Sequence, residues 1–345
     1  MPILAEDMKF HEPPDNNPLW AETNFWSFHI PEEKAYVLIY VITRKNLGVC
    51  KSDIFVYQDH VESPTEALYY DAQIHLPLPE KLEEYTLANG LSVKTVNAPM
   101  EYDVSYEGYD GAFSFNLHFE GLSEPYATHD PDMDPLANAD QSKAWQDSAW
   151  AHHFEQSQHV TGECTLHGKK YKIDCFSTMD HSWGMRPEDG RTYPKVGDLP
   201  NLTWFHGHWG KDRNKATGGD LVIHVSARHD PANTDKLGPL LHGYVVDDGE
   251  LFGLVEGEGQ TKRRRFMPTE IEITVKDVRD KVYKMRGTSV ATYPWILWPN
   301  LYCFCGHLKW DDIEGLTNGW GESQDCLGMP YVVDAKQKGI TGNNQ

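Results

Sequence analysis

At 345 residues, with about 150 residues to an ordinary domain, the chain has room for roughly two domains and an ample core. Its 31 lysines and arginines stand against 52 acidic side chains, and the net charge of −21 excludes the broad basic field that nucleic acid requires. Aromatic residues still make up 12% of this acidic chain, so large rings are being spent on something.

From the amino terminus, Met1 to Asp7 turns acidic before an apolar signal region can form, which predicts a cytoplasmic protein. The apolar run from Tyr36 to Ile42 is far shorter than the ~20 residues of a membrane helix and reads as a buried strand. Cysteines 50, 164, 175, 303, 305 and 326 form no CxxC pair, which suits reduced thiols. Phe113, Phe115, Leu117 and Phe119 alternate with polar residues, the pattern of a half-buried strand. Between 101 and 150 the acids at 101, 103, 107, 110, 120, 124, 130, 132, 134, 140 and 147 face a single base, Lys143. Within that stretch, His129 to Pro135 has the alternating acids of a calcium loop, but its two prolines and its lack of the turn glycine and terminal glutamate spoil the motif, and it reads as a solvated acidic loop. A short helix is predicted near 140–150, capped by Asp140.

Further along, turn residues at His167-Gly168-Lys169-Lys170 and Asp247-Asp248-Gly249-Glu250 separate strand-like segments and predict two hairpins. Period-two alternation returns at Leu221, Ile223, Val225 and at Ile271, Ile273, Val275. The bases Lys262 to Arg265 read as an exposed turn. No repeat and no βαβ rhythm occurs, so the expected class is all-β, antiparallel, with few short helices.

Chemistry concentrates at Met179-Asp180-His181-Ser182-Trp183-Gly184-Met185-Arg186. In an extended strand Asp180 and Ser182 share one face, and His181 and Trp183 share the other. The plainer reading pairs Asp180 with Arg186 in a structural turn with Trp183 in the core. A second cluster, Trp204-Phe205-His206-Gly207-His208-Trp209, puts Trp204, His206 and His208 on one strand face. Two imidazoles at i and i+2 are how cupin metal cages begin, but the nearest carboxylate, Asp212, falls in a turn and no third histidine follows at the expected distance. No metal is therefore assigned.

Together, His153-Phe154-Glu155-Gln156, Gly162, Gly168, the Asp180 to Gly184 run with Arg186, Trp204-Phe205, and Gly319-Trp320-Gly321-Glu322 resemble the carotenoid 1,2-hydratase and AttH-like family. Kievitone hydratase and the fungal lipocalin-like Diels-Alderases resemble it as distant relatives. The resemblance implies two lipocalin-like antiparallel β-barrel domains packed side by side, over 1–190 and 191–335 with a tail at 336–345. The ligand cavity is expected at or near their interface.

The resemblance also implies that Asp180 protonates an isolated alkene, as a carboxyl whose pKa an apolar cavity has raised. His181, or His206 and His208 from the second domain, would receive the proton from water, and Glu322 or Glu155 would replace Asp180 if Arg186 pairs with it closely and lowers its pKa. Trp26, Trp183, Arg186, Trp204, His208, Tyr293, Trp295, Trp298 and Trp320 are the expected substrate-binding residues. The expected activity is a cofactor-independent hydratase, dehydratase or isomerase acting on an isoprenoid-like alkene or tertiary alcohol. The alternatives are a pericyclase acting on a polyene and a lipid or terpenoid carrier. The expected partner is a small apolar terpenoid or prenylated compound, with no nucleic acid and no membrane span, and a homodimer is compatible.

Overall fold

The structure is a computed structural model that describes residues 2–139, 152–186, 201–212, 218–230 and 233–338. The helix expected near 140–150 and the domain join expected near 190 lie outside the described residues. Two compact units form, one from Met1–Val56, Leu68–Met133 and Gln146–Arg186, the other from Tyr57–Ala67, Asp134–Trp145 and Pro187–Gln345.

In the first unit, β1 (Trp20–Ile30), β2 (Ala35–Arg44), β3 (Val49–Tyr57), β4 (Tyr69–Pro77), β5 (Glu84–Thr86), β6 (Leu91–Asn97), β7 (Glu101–Glu107), β8 (Phe113–Gly121), β9 (Tyr126–Ala127), β10 (His152–Leu166) and β11 (Lys169–Met185) build one antiparallel sheet. Its order is β4-β3-β2-β1-β11-β10-β8-β7-β6-β5, with β9 beside β10. The run Tyr36 to Ile42 is the buried centre of β2, as its composition predicts. The Phe113 to Phe119 alternation also holds, and its rings join Trp26, Phe28, Ile173 and Cys175 in the core against one face of the sheet.

In the second unit, β12 (Leu202–Gly210), β13 (Leu221–Asp230), β14 (Asn233–Asp247), β15 (Glu250–Arg264), β16 (Met267–Asp277), β17 (Val282–Trp298), β18 (Leu301–Trp310) and β19 (Thr317–Gly328) close into an antiparallel barrel. A helix α1 (Met329–Gln337) follows. Phe205, Trp209, Ile223, Val225, Ile271, Ile273, Leu308 and Trp310 fill the barrel. The all-β, lipocalin-like antiparallel class expected from the sequence is the one found, as one closed barrel and one open sheet.

Both predicted hairpins form on two-residue turns with both central residues at positive φ: His167 and Gly168 at 49° and 80°, Asp248 and Gly249 at 51° and 84°. Such turns match the strand twist, and the glycine takes the second position at no steric cost. The strands run well beyond the segments that their apolar residues mark. β10 and β11 pair from His152↔Trp183 to Leu166↔Lys169, so the polar motifs lie in the ladder itself.

Two expectations need correction. Arg263 is not on an exposed turn: it is 7% exposed and donates from Nε to Asp325 at 2.5 Å and from Nη1 to Asp235 at 2.9 Å. A buried carboxylate on β19 draws it inward, while Lys262 and Arg264 stay out. The acidic loop is not fully solvated either. Asp130 and Asp134 turn in, each accepting a backbone N–H two residues on, Asp132 and Leu136 respectively. Among the described residues, all six cysteines are free and buried, and no helix is long and apolar enough to cross a membrane.

Candidate functional site

Strand register settles what the Asp180 motif presents. Asp180 pairs across β11 with Phe25 on β1 and with Glu155 on β10, and Ser182 pairs with Thr23 and His153. Paired residues share a face, so Asp180, Ser182, Glu155, His153 and Thr23 lie on the side of the sheet away from the core. His181 and Trp183 point into the opposite side, as alternation requires.

On the Asp180 face, Ser182 Oγ lies 2.7 Å from Thr23 Oγ1 and accepts from Arg186 Nη2. Arg186 thus hydrogen-bonds Ser182 on this face and acts on Asp180 through its charge. His153 Nε2 sits 2.7 Å from Glu155 Oε1, both buried. Burial pushes the Asp180 carboxyl up to about 7 with help from the Glu155 charge, against the opposing pull of His153 and Arg186. Burial likewise lowers His153 to about 4, which keeps its ring neutral. The face thus holds a carboxyl whose pKa is raised to about 7 beside the Glu155 side chain and a neutral imidazole.

The inner side of the same strands carries a second polar group that sequence reading missed. His11 Nδ1 lies 2.9 Å from Glu22 Oε2, and the His11 backbone N–H donates to Glu22 Oε1 at 3.0 Å. His181 Nδ1 is 2.8 Å from the Thr23 carbonyl, with the Asn24 amide 3.0 Å from the same nitrogen. Trp183 stacks on His11, 3.9 Å away, and on His152, 5.3 Å away, each at an interplanar angle of 9°. Burial lowers His181 to about 3 and raises Glu22. Trp26 lies further along this inner side, edge-on to Tyr102 at 6.4 Å, within the hydrophobic core.

In the barrel, register places Trp204, His206 and His208 of β12 opposite Ser226, His224 and Val222 of β13, and His224 opposite Tyr244 of β14. On the other flank, Gln324 and Trp320 of β19 pair with Trp204 and His208, while Glu322 pairs with His307 of β18. Tyr293 and Trp295 of β17 continue the row through Cys305 and Cys303. These side chains lie on the outside of the barrel wall, and His206, His208, His224, His242, His307 and Glu322 are all buried. His206 and His208 touch through their Nδ1 atoms at 3.2 Å, and Gln324 donates to Glu322 Oε1 at 3.1 Å. Trp204 meets His206 and His224 edge-on, and Tyr293 stacks on Tyr57 at 5.6 Å. Trp298 is buried past a register shift at the end of β17. The signal for His224, His242 and His307 was present only as unremarkable single histidines in apolar strands.

The Gly319-Trp320-Gly321-Glu322 run has a packing cause. Its glycines face into the barrel, where a Cβ on Gly319 would meet the Trp209 indole and one on Gly321 would collide with the His206 carbonyl oxygen. That carbonyl accepts from Trp310 Nε1 at 3.0 Å. Trp320 and Glu322 therefore face outward because the alternate positions must be bare.

The fold resembles the crystal structure of kievitone hydratase from Nectria haematococca, with a TM-score of 0.53 and 12% identity over 91% of this chain and 90% of that one. The crystal structure of CghA is similar at a TM-score of 0.48 and 8% identity over 90% and 88%. The expected likeness to kievitone hydratase is thus present in the fold. No curated protein matches the chain by sequence. The profile of a family described as a domain of unknown function, DUF7064, matches residues 4–324, and the chain belongs to that family.

Proposed function

We propose that the protein is a hydratase, dehydratase or isomerase that acts on an apolar, isoprenoid-like alkene or tertiary alcohol without a cofactor. The supporting observation is placement: Asp180 stands on one sheet face beside the Glu155–His153 pair, with Phe25 as its cross-strand neighbour. In hydration, the Asp180 carboxyl gives its proton to the less substituted alkene carbon and a tertiary cation forms at the other. Water adds to that cation and surrenders a proton to the Glu155 carboxylate, which His153 holds in place. Run backwards, the same steps remove water. Loss of a proton from a carbon next to the cation gives an isomer instead.

The fold shared with kievitone hydratase is compatible with this reading. The test is Asp180→Asn, checked for native circular dichroism and assayed against trisubstituted terpenoid alkenes and tertiary alcohols. Turnover is expected to fall by about 10²-fold or more, the range for losing a general acid. Unchanged turnover in a folded variant would remove Asp180 from the chemistry, and binding without product in the wild type would make the protein a carrier.

A further inference from the structure

On the inner side of the first unit's sheet, three side chains outside the proposed reaction converge: His11 from the segment before β1, Glu22 from β1 and His181 from β11. One ligand atom from each lies within 4.8 Å of the other two. We propose that His11, Glu22 and His181 bind a divalent transition-metal ion, with zinc as the best fit to two imidazoles and one carboxylate.

Each ligand is already oriented by its other polar atom. His181 Nδ1 donates to the Thr23 carbonyl at 2.8 Å, so Nε2 carries a lone pair. That Nε2 is buried, has no hydrogen-bond partner, and looks at Glu22 Oε2 across 3.9 Å. A cation placed here would meet the unpartnered His181 lone pair and take the place of the proton that His11 Nδ1 shares with Glu22 Oε2 at 2.9 Å. Glu22 Oε1 accepts the His11 backbone N–H at 3.0 Å, which turns Oε2 toward both imidazoles, 2.9 Å from His11 Nδ1 and 3.9 Å from His181 Nε2. His11 turns Nδ1 toward Glu22 Oε2 and Nε2 toward Asp7 Oδ1 at 3.4 Å, the imidazole–carboxylate pairing usual behind a metal-bound histidine. The Trp183 indole stacked on His11 at 3.9 Å holds that ring in register.

An ion here would tie the amino-terminal segment to β1 and β11. Three protein ligands leave a fourth position of a tetrahedral ion open to water. Because His181 and Asp180 project from opposite sides of β11, the ion is separate from the proposed proton donor. The His206–His208 pair is the rival histidine set.

The test uses the full-length protein stripped with a chelator and titrated with Co²⁺ and Zn²⁺. It is read by the visible d–d absorption of bound Co²⁺ and by metal analysis after dialysis. One ion per chain is expected, with affinity at least about tenfold weaker in His11→Ala and in Glu22→Gln. His11→Ala removes only a half-buried ring from a segment outside the sheet, so this variant keeps the fold if Glu22→Gln does not. His118→Ala, at a surface imidazole paired with Asp103, should bind like the wild type. Absence of bound ion, equal affinity in His11→Ala, or loss of binding in His206→Ala with retention in His11→Ala would each overturn the proposal.

Discussion

Asp180 and His181 are neighbours in the chain, yet they serve opposite sides of one sheet. That separation was legible in the sequence, because an extended strand alternates its side chains whatever its neighbours are. Legibility stopped at the partners. Glu22 meets His181 only because β1 pairs with β11, and Glu155 meets Asp180 only because β10 does. Such long-range register leaves no local mark. Arg263 makes the same point from the charge side. Its three basic neighbours argue for solvent, and only the position of Asp325 shows why it is buried.

That pair also carries a stability prediction. Burial alone would raise the Asp325 pKa, but the Arg263 guanidinium and the His229 ring outweigh it and hold the carboxyl well below the usual range. A carboxylate with a depressed native pKa adds stability above the unfolded value of about 4, and that stability is lost as pH falls through the native value. Asp325→Leu should cost about 3–5 kcal/mol in urea denaturation at pH 7, because Arg263 is left charged and buried. The double variant Arg263→Met with Asp325→Leu should recover much of that loss. Its midpoint should also fall less steeply than that of the wild type between about pH 4 and pH 2. Additive losses in the double variant would mean that the two residues do not act as a pair.

At the level of elements, the turns were the most readable feature. Residues that accept positive φ sit where two-residue hairpins need them, and both hairpins are present. Strand length was much less readable. Segments such as Leu202–Gly210 are buried along their whole length, so they carry chemistry and packing side chains in alternation and show no polar face to mark them. The glycines of β19 are the clearest case of an element explaining a motif. Gly319 and Gly321 make room for the Trp209 and Trp310 rings inside the barrel, and this presents Trp320 and Glu322 on the other side. Gly321→Ala should therefore destabilise the protein by about 1–3 kcal/mol, the ordinary cost of overpacking, and disturb the Trp310 environment in near-ultraviolet circular dichroism. An alanine variant as stable as the wild type, with an unchanged spectrum, would refute the close approach of β19 to β12.

Across the whole chain, the 12% aromatic content finds its place on two kinds of surface. Phe113, Phe115, Trp209 and Trp310 fill cores, while Trp204, Trp320, Tyr293 and Trp295 share the histidine-bearing side of the barrel wall. Fold class followed from period-two alternation, turn chemistry and the absence of a βαβ rhythm. Function was visible only as clusters whose partners the fold had to supply. The proposed chemistry begins with delivery of a solvent-derived proton from Asp180 to an isolated double bond, followed by addition of water or loss of a neighbouring proton. Incubation of the protein in D₂O enriched in ¹⁸O with a panel of terpenoid alkenes, followed by mass spectrometry, tests this directly. The expected product is an alcohol carrying one ¹⁸O and one carbon-bound deuterium on the adjacent carbon, or an isomer carrying carbon-bound deuterium alone, formed by the wild type and not by Asp180→Asn. A rearranged product that contains no solvent atoms, or label that appears equally with Asp180→Asn, would contradict it.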